Sequence, residues 1–198
     1  MGKSRLTKDW ARYYGAVGDR PHPTLIQAAD AFDAEARRAR LAVDLGCGSG
    51  RDTLELLRRG WSVIAIDVTQ EGLDRLRERA GDAGPRLRLV RARMEDAEWP
   101  AADLVNASLV LPFCAPDRFP AVWARIGASL RAGGRFAGHL FGPNDDWAAD
   151  VLTHTRAEVD TLLSGFEIER LDEIEKEMAT AAGGTKQAHM FFIVGRKR

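Results

Sequence analysis

"LAVDLGCGSGRDTLELLRRG", residues 41–60, sets three glycines within five positions between an apolar run and a leucine-rich stretch. A glycine-rich turn from strand to helix lets another group approach the backbone closely, with the helix N-terminus beyond it. "LAVDL" (41–45) reads as a short buried strand, and 51–59 as a helix with Leu54 and Leu57 inward. Spacing narrows what the turn can hold. A Walker loop needs G-x-x-x-x-G-K-[ST], and no lysine follows these glycines. A dinucleotide fingerprint needs its third glycine at position 51, which is Arg51; the glycine arrives one residue early. What remains is D-x-G-x-G-x-G, from Asp44 to Gly50. A second acid, Asp67, closes the next apolar run, "WSVIAID" (61–67), where a carboxylate can accept from both hydroxyls of a nucleoside ribose.

The rest of the chain continues the alternation. Before the turn, 4–16 suggests a short helix carrying Trp10, Tyr13 and Tyr14, and 24–39 a helix burying Leu25, Ala28, Ala29, Phe32 and Ala36. After it come a helix over 70–80 stopped by Gly81, a strand at 86–90, and a strand at 102–110. A helix over 116–131 ended by Gly133 follows, then a strand at 135–141. Thr155 and Glu158 form a capping box before Val159, Leu162 and Leu163. The segments 166–174 and 188–196 have no helix between them and read as an antiparallel pair. Strands alternating with helices imply an α/β, doubly wound and mostly parallel sheet, which binds ligands beyond its carboxyl strand ends.

Composition removes several function classes. Lys plus Arg equals Asp plus Glu, 29 each, so no global field favours nucleic acid or an anionic membrane. No apolar run approaches the roughly 20 residues of a membrane helix, and MGKSRLTKDWARYYG has no apolar signal core. Two cysteines, Cys47 and Cys114, suit a reducing cytoplasm and form no metal knuckle.

"VDLGCGSGRDTLELLRRG" followed by "VIAIDVT" resembles the cofactor half of class I S-adenosylmethionine (SAM)-dependent methyltransferases, and "NASLVLPFCAPDRFPAVWARIGASLRAGGRFAGHLFG" (106–142) resembles the next part of that fold. The sequence is most similar to small bacterial tellurite-resistance-type members. The resemblance implies a Rossmann-like seven-stranded sheet with an antiparallel last strand, and a length of 198 residues suits a single domain over 1–198. Residues 1–39 would form a lid, 40–142 the SAM-binding core and 143–198 the substrate side. It implies that Asp44, Gly46, Cys47, Gly48 and Gly50 line the methionine part of SAM, Asp67 takes the ribose, and Val68 packs on adenine. Met94 would pack on the adenine and Glu95 would meet its amino group, although "VRARMEDAEWP" departs from the family pattern and puts Arg93 at one plausible position. Asn106 would sit beside the sulfonium, and S-adenosylhomocysteine would be the product.

The substrate side is read from residue types. His139 is the candidate general base, because its strand ends near the expected site and a base is needed only if the nucleophile keeps a proton. Tyr13, Tyr14 and Trp10 are candidate lid residues, with Arg20 a partner for the SAM carboxylate. Phe113, Phe141 and Trp147 are expected to form an apolar substrate wall and His189 a further substrate contact, while His22 and His154 are expected at the solvent. The acceptor expected is a small molecule. The alternatives are a nucleic-acid methyltransferase, suggested by the arginines between 75 and 93, and a SAM-binding regulator without activity. The first lacks N-P-P-[FY] after strand four, where Asn106-Ala107-Ser108-Leu109 stands. Oligomeric state is not legible.

Overall fold

In the computed structural model, residues 18–35, 40–180 and 183–198 are described. Their elements are α1 (Pro23–Ala34), β1 (Leu41–Leu45), α2 (Arg51–Arg58), β2 (Ser62–Asp67), α3 (Gln70–Ala80) and β3 (Leu87–Arg91). Then follow β4 (Ala102–Ala107), α4 (Phe119–Ser129), β5 (Leu130–Phe141), α5 (Arg156–Leu162), β6 (Phe166–Ala179) and β7 (Thr185–Lys197). Among the described residues the strands form one seven-stranded sheet in the order β3-β2-β1-β4-β5-β7-β6. The first five are parallel, and β7 runs antiparallel to both β5 and β6. This is the Rossmann-like sheet with its antiparallel last strand.

Both faces of the sheet are covered, which is why the central strands read as unbroken apolar runs. Val43, Leu45, Ile64, Ile66 and Val105 pack with α4 and α5 on one face. On the other, Ala42, Ala65 and Leu104 meet Leu25 and Phe32 of α1 and Leu73 and Leu76 of α3. The order reverses between β1 and β4, opening a crevice at their carboxyl ends.

Several boundaries differ from the sequence reading, two of them for a tertiary reason that the register shows. Helix α4 stops at Ser129, because Leu130 already pairs with Ala102 at the foot of β4; Gly133, at φ +70, lies inside β5. Strand β4 ends at Ala107, since Leu109 turns left-handed at φ +57 and a 3-10 turn over Leu111–Phe113 follows. In α2 it is Leu56 and Leu57 that are buried, with Leu54 half-exposed. The α1 helix is described over Pro23–Ala34, and residues 36–39, with the expected core residue Ala36, lie outside the described residues. The β6–β7 pair is longer than expected, running from Phe166↔Lys197 to Ala179↔Thr185. The capping box at Thr155 and Glu158 forms on both arms.

Candidate cofactor cleft

At the reversal point lies a cleft of about 410 Å³, floored by the 46–50 turn and walled by the ends of β2, β3 and β4. Gly46, Gly48 and Gly50 all have left-handed backbone, at φ +66, +53 and +90. Two of these glycines answer to the protein itself. A Cβ on Gly46 would collide with Val110, and one on Gly50 with Leu76. The turn is thus wedged between the β4 loop and α3. It also hangs from β2, where the N–H groups of Gly46 and Cys47 both donate to the Ile66 carbonyl, at 2.8 and 3.0 Å.

Asp67 ties the turn to β2 a second time. One carboxylate oxygen accepts from the Gly48 N–H at 2.8 Å, and the other from the N–H and hydroxyl of Thr69 at 2.8 and 2.6 Å. Asp44, buried at the end of β1, accepts from the Thr53 hydroxyl at 2.5 Å and from Asn106 Nδ2 at 2.8 Å. The same Asn106 amide donates to Asp52 at 3.0 Å, and Asp52 also accepts from the backbone N–H of His22 at 2.9 Å. Burial, then the neighbouring Asp52 charge, pushes the Asp44 carboxyl up to about 7. Three carboxylates therefore converge on one cleft, and Asp44 and Asp52 are bonded by neutral donors. Such a floor attracts positive charge.

Of the residues expected to hold a cofactor, Asp44, Gly46, Cys47, Gly48, Gly50, Asp67, Val68, Met94 and Glu95 line the cleft. Glu95 accepts from the Ala115 N–H at 3.0 Å and from Arg93 at 3.2 Å, and these donors hold its carboxyl below the usual range against its own burial. Burial pushes the Cys47 thiol well up, so it stays protonated. Asn106 does not line the cleft; fully buried, it lies beneath the floor and braces Asp44 against Asp52. Arg20 is exposed and away from the lining, and Trp10, Tyr13 and Tyr14 lie outside the described residues.

The expected substrate wall divides. Phe113 lines the cleft, whereas Phe141 and Trp147 pack with Ala188 and Met190 against β7. There Lys186 lies 3.9 Å from the Trp147 ring centre and 4.5 Å from that of Phe141, with both Asp145 oxygens 2.6 Å from its ammonium. His189 is buried beside them, bonded to Glu173 at 3.0 Å and accepting the Asn144 N–H at 3.3 Å, so it secures a turn instead of facing the cleft.

His139 is also outside the cleft, fully buried, its ring 4.8 Å from that of His22 and edge-on to Phe192 at 4.7 Å. Burial lowers its pKa well below the ordinary histidine value. Against expectation His154 is buried, and His22 is half-buried. His22 touches Arg51, and burial takes its pKa down to about 4; His154 packs on Phe119 at 4.6 Å. Sequence reasoning missed Asp52 and Thr53. Their signal was two polar residues at the start of α2, on the turn of helix that points at the cleft.

Residues 42–134 match the family described as a methyltransferase domain. Trans-aconitate 2-methyltransferase of Deinococcus radiodurans is 32% identical over 128 residues, which is 63% of this chain and 46% of that protein. The chain spans less than half the length of the curated relatives it matches. Among solved structures, TehB from Haemophilus influenzae superposes with a TM-score of 0.72 at 18% identity, covering 86% of this chain and 62% of that one. The 1,6-didemethyltoxoflavin-N1-methyltransferase of Burkholderia thailandensis, solved with 1,6-didemethyltoxoflavin and S-adenosylhomocysteine, gives a TM-score of 0.64 at 26% identity, covering 88% and 78%. The sheet order, the glycine turn and the family match together identify residues 42–134 as a methyltransferase domain, built on the class I SAM-dependent methyltransferase fold.

Proposed function

We propose that this chain is a SAM-dependent methyltransferase whose acceptor is a small molecule. The observation that carries the reading is the convergence of Asp44, Asp52 and Asp67 on a left-handed glycine turn in one cleft. Carboxylates so placed suit a ligand bearing a sulfonium and an ammonium, and do not suit the phosphates of NAD or ATP. Asp67 would meet the ribose, Val68 and Met94 the adenine faces, and Glu95, held ionised, the adenine amino group. Asp44 and Asp52 would face the positive end. When bound, SAM supplies an electrophilic methyl group. The chain's contribution is then to orient the acceptor and exclude water.

The small-molecule reading is supported by relatives whose names specify trans-aconitate and 1,6-didemethyltoxoflavin. In the arginine run between 75 and 93 that suggested nucleic acid, Arg75 pairs with Glu71, Arg77 with Asp74, Arg79 with Asp19 and Arg93 with Glu95. Calorimetry with SAM, S-adenosylhomocysteine, NAD and ATP tests the cofactor, and binding of NAD without SAM overturns it. A labelled-methyl screen against metabolites and bulk RNA tests the acceptor; label in RNA alone selects the nucleic-acid reading. Tight SAM binding with no transfer to any acceptor selects a regulator.

A further inference from the structure

Among the described residues Leu109 alone is a non-glycine with left-handed backbone, at φ +57. A side chain bears that conformation at a cost and keeps it only where its surroundings hold it. Leu109 stands in the Ser108–Val110 wall of the cleft, facing the glycine turn. Its neighbour Val110 fills the space that a side chain on Gly46 would need. The conformation at residue 109 therefore sets how the β4 wall meets the 46–50 turn.

What holds Leu109 is on the next strand. Its backbone N–H donates to His139 Nδ1 at 3.3 Å. With Nδ1 accepting, the proton of the neutral ring sits on Nε2, which has no partner among the described residues. Phe192 and His22 pack on the ring and fix its orientation. The lone pair a general base would use is already committed to the backbone.

We propose that His139 is a positioning residue: by accepting the Leu109 N–H it fixes the left-handed turn at 109, and so the wall of the cleft against the glycine turn. The assignment uses the cofactor reading above only for its binding readout. The probe is S-adenosylhomocysteine, titrated by calorimetry. His139→Ala should weaken it by about 3- to 10-fold, the range of one lost hydrogen bond. His139→Asn puts an amide oxygen at the γ position where Nδ1 stood and should stay within about 2-fold of wild type. His139→Gln places its polar atoms one bond too far and should behave like alanine. In a Leu109→Gly background, glycine takes φ +57 unaided, so His139→Ala should then cost less than about 2-fold. A packing role alone would give no such rescue. An independent readout is amide exchange at Leu109, which should quicken in His139→Ala and stay slow in His139→Asn. Should the alanine variant not fold, glutamine against asparagine carries the same comparison. Equal losses in both backgrounds, or unchanged Leu109 exchange, overturn the proposal. A wild-type protein that does not bind S-adenosylhomocysteine removes the function proposed above instead, and Leu109 exchange still decides this one.

Discussion

Two clusters of buried charge lie at the same end of the sheet, one at β1–β2 and one at β5–β7, and they are neutralised differently. Around the glycine turn, Asp44 and Asp52 are held by a hydroxyl, an amide and a backbone N–H. Against β7, Asp145 already holds the Lys186 ammonium between two aromatic rings. Acids bonded by neutral donors can still pair with a cation from outside. An acid that encloses its own cation is a strut. Ligand binding is thus expected at the first cluster and stability at the second.

The contrast breaks most sharply at Asp145. Asp145→Ala would leave a largely buried ammonium without its counter-charge, a loss of about 3–5 kcal/mol. Chemical denaturation should show that drop, while S-adenosylhomocysteine affinity of the folded fraction stays at the wild-type value. Replacing Asp145 by Leu together with Lys186 by Met should recover only the part due to the stranded ammonium, because Asp145 also accepts the Trp147 and His189 N–H groups. Weakened cofactor binding in that folded pair would mean the second cluster belongs to the site after all.

Gly50→Ala probes the boundary between the two roles. Its φ of +90 and the Leu76 side chain in the way predict a loss of about 2–4 kcal/mol, from left-handed strain and overpacking together. Stability and cofactor binding should fall together, because the turn that binds is also wedged into the core. A folded Gly50→Ala protein with intact affinity would separate them.

That double duty explains what could be read from the sequence. The D-x-G-x-G-x-G spacing and Asp67 stood out because local backbone demands leave glycines and acids at fixed intervals, and the strand–helix alternation followed from apolar periodicity. What was illegible depended on register between distant strands. Phe141 faces Met190 across β5–β7, which carries it and Trp147 away from Phe113. Asn106 and Asp44 are partners across β1–β4, so an amide expected at the ligand instead braces the floor. The early stop of α4 likewise follows from Leu130 pairing with Ala102, a contact no helical pattern records.

Asp67→Ala comes next in size. Removing a charged hydrogen-bond acceptor should weaken S-adenosylhomocysteine binding by about 1.5–3 kcal/mol. It also frees the Gly48 and Thr69 donors, so the denaturation midpoint should fall too. Unchanged affinity in the folded variant would remove the ribose role and leave Asp67 as a brace for the turn.

Asp44→Asn is the subtlest test, because it is read in a pH slope. In the folded chain Asp44 keeps its proton up to about 7, against 3.8 for an unperturbed carboxyl. Between those values the folded state binds more protons than the unfolded one, so this group makes stability fall as pH rises. His22 opposes it. Its folded value of about 4 lies below the ordinary 6.5, so in that window it makes stability rise with pH. Wild type should therefore show a partly cancelled profile, and Asp44→Asn a steeper rise from about pH 4 to 6.5. Asparagine loses one acceptor toward Thr53 or Asn106, which offsets the curve as a whole, but the slope reports only the titration. Binding should respond in the same sense as the charge. A sulfonium favours ionised Asp44, so SAM affinity should climb from about pH 6 to 8 in wild type and stay flat in the variant. Parallel slopes in the two proteins would take Asp44 out of the cation site and leave Asp52 and Asp67 to carry it.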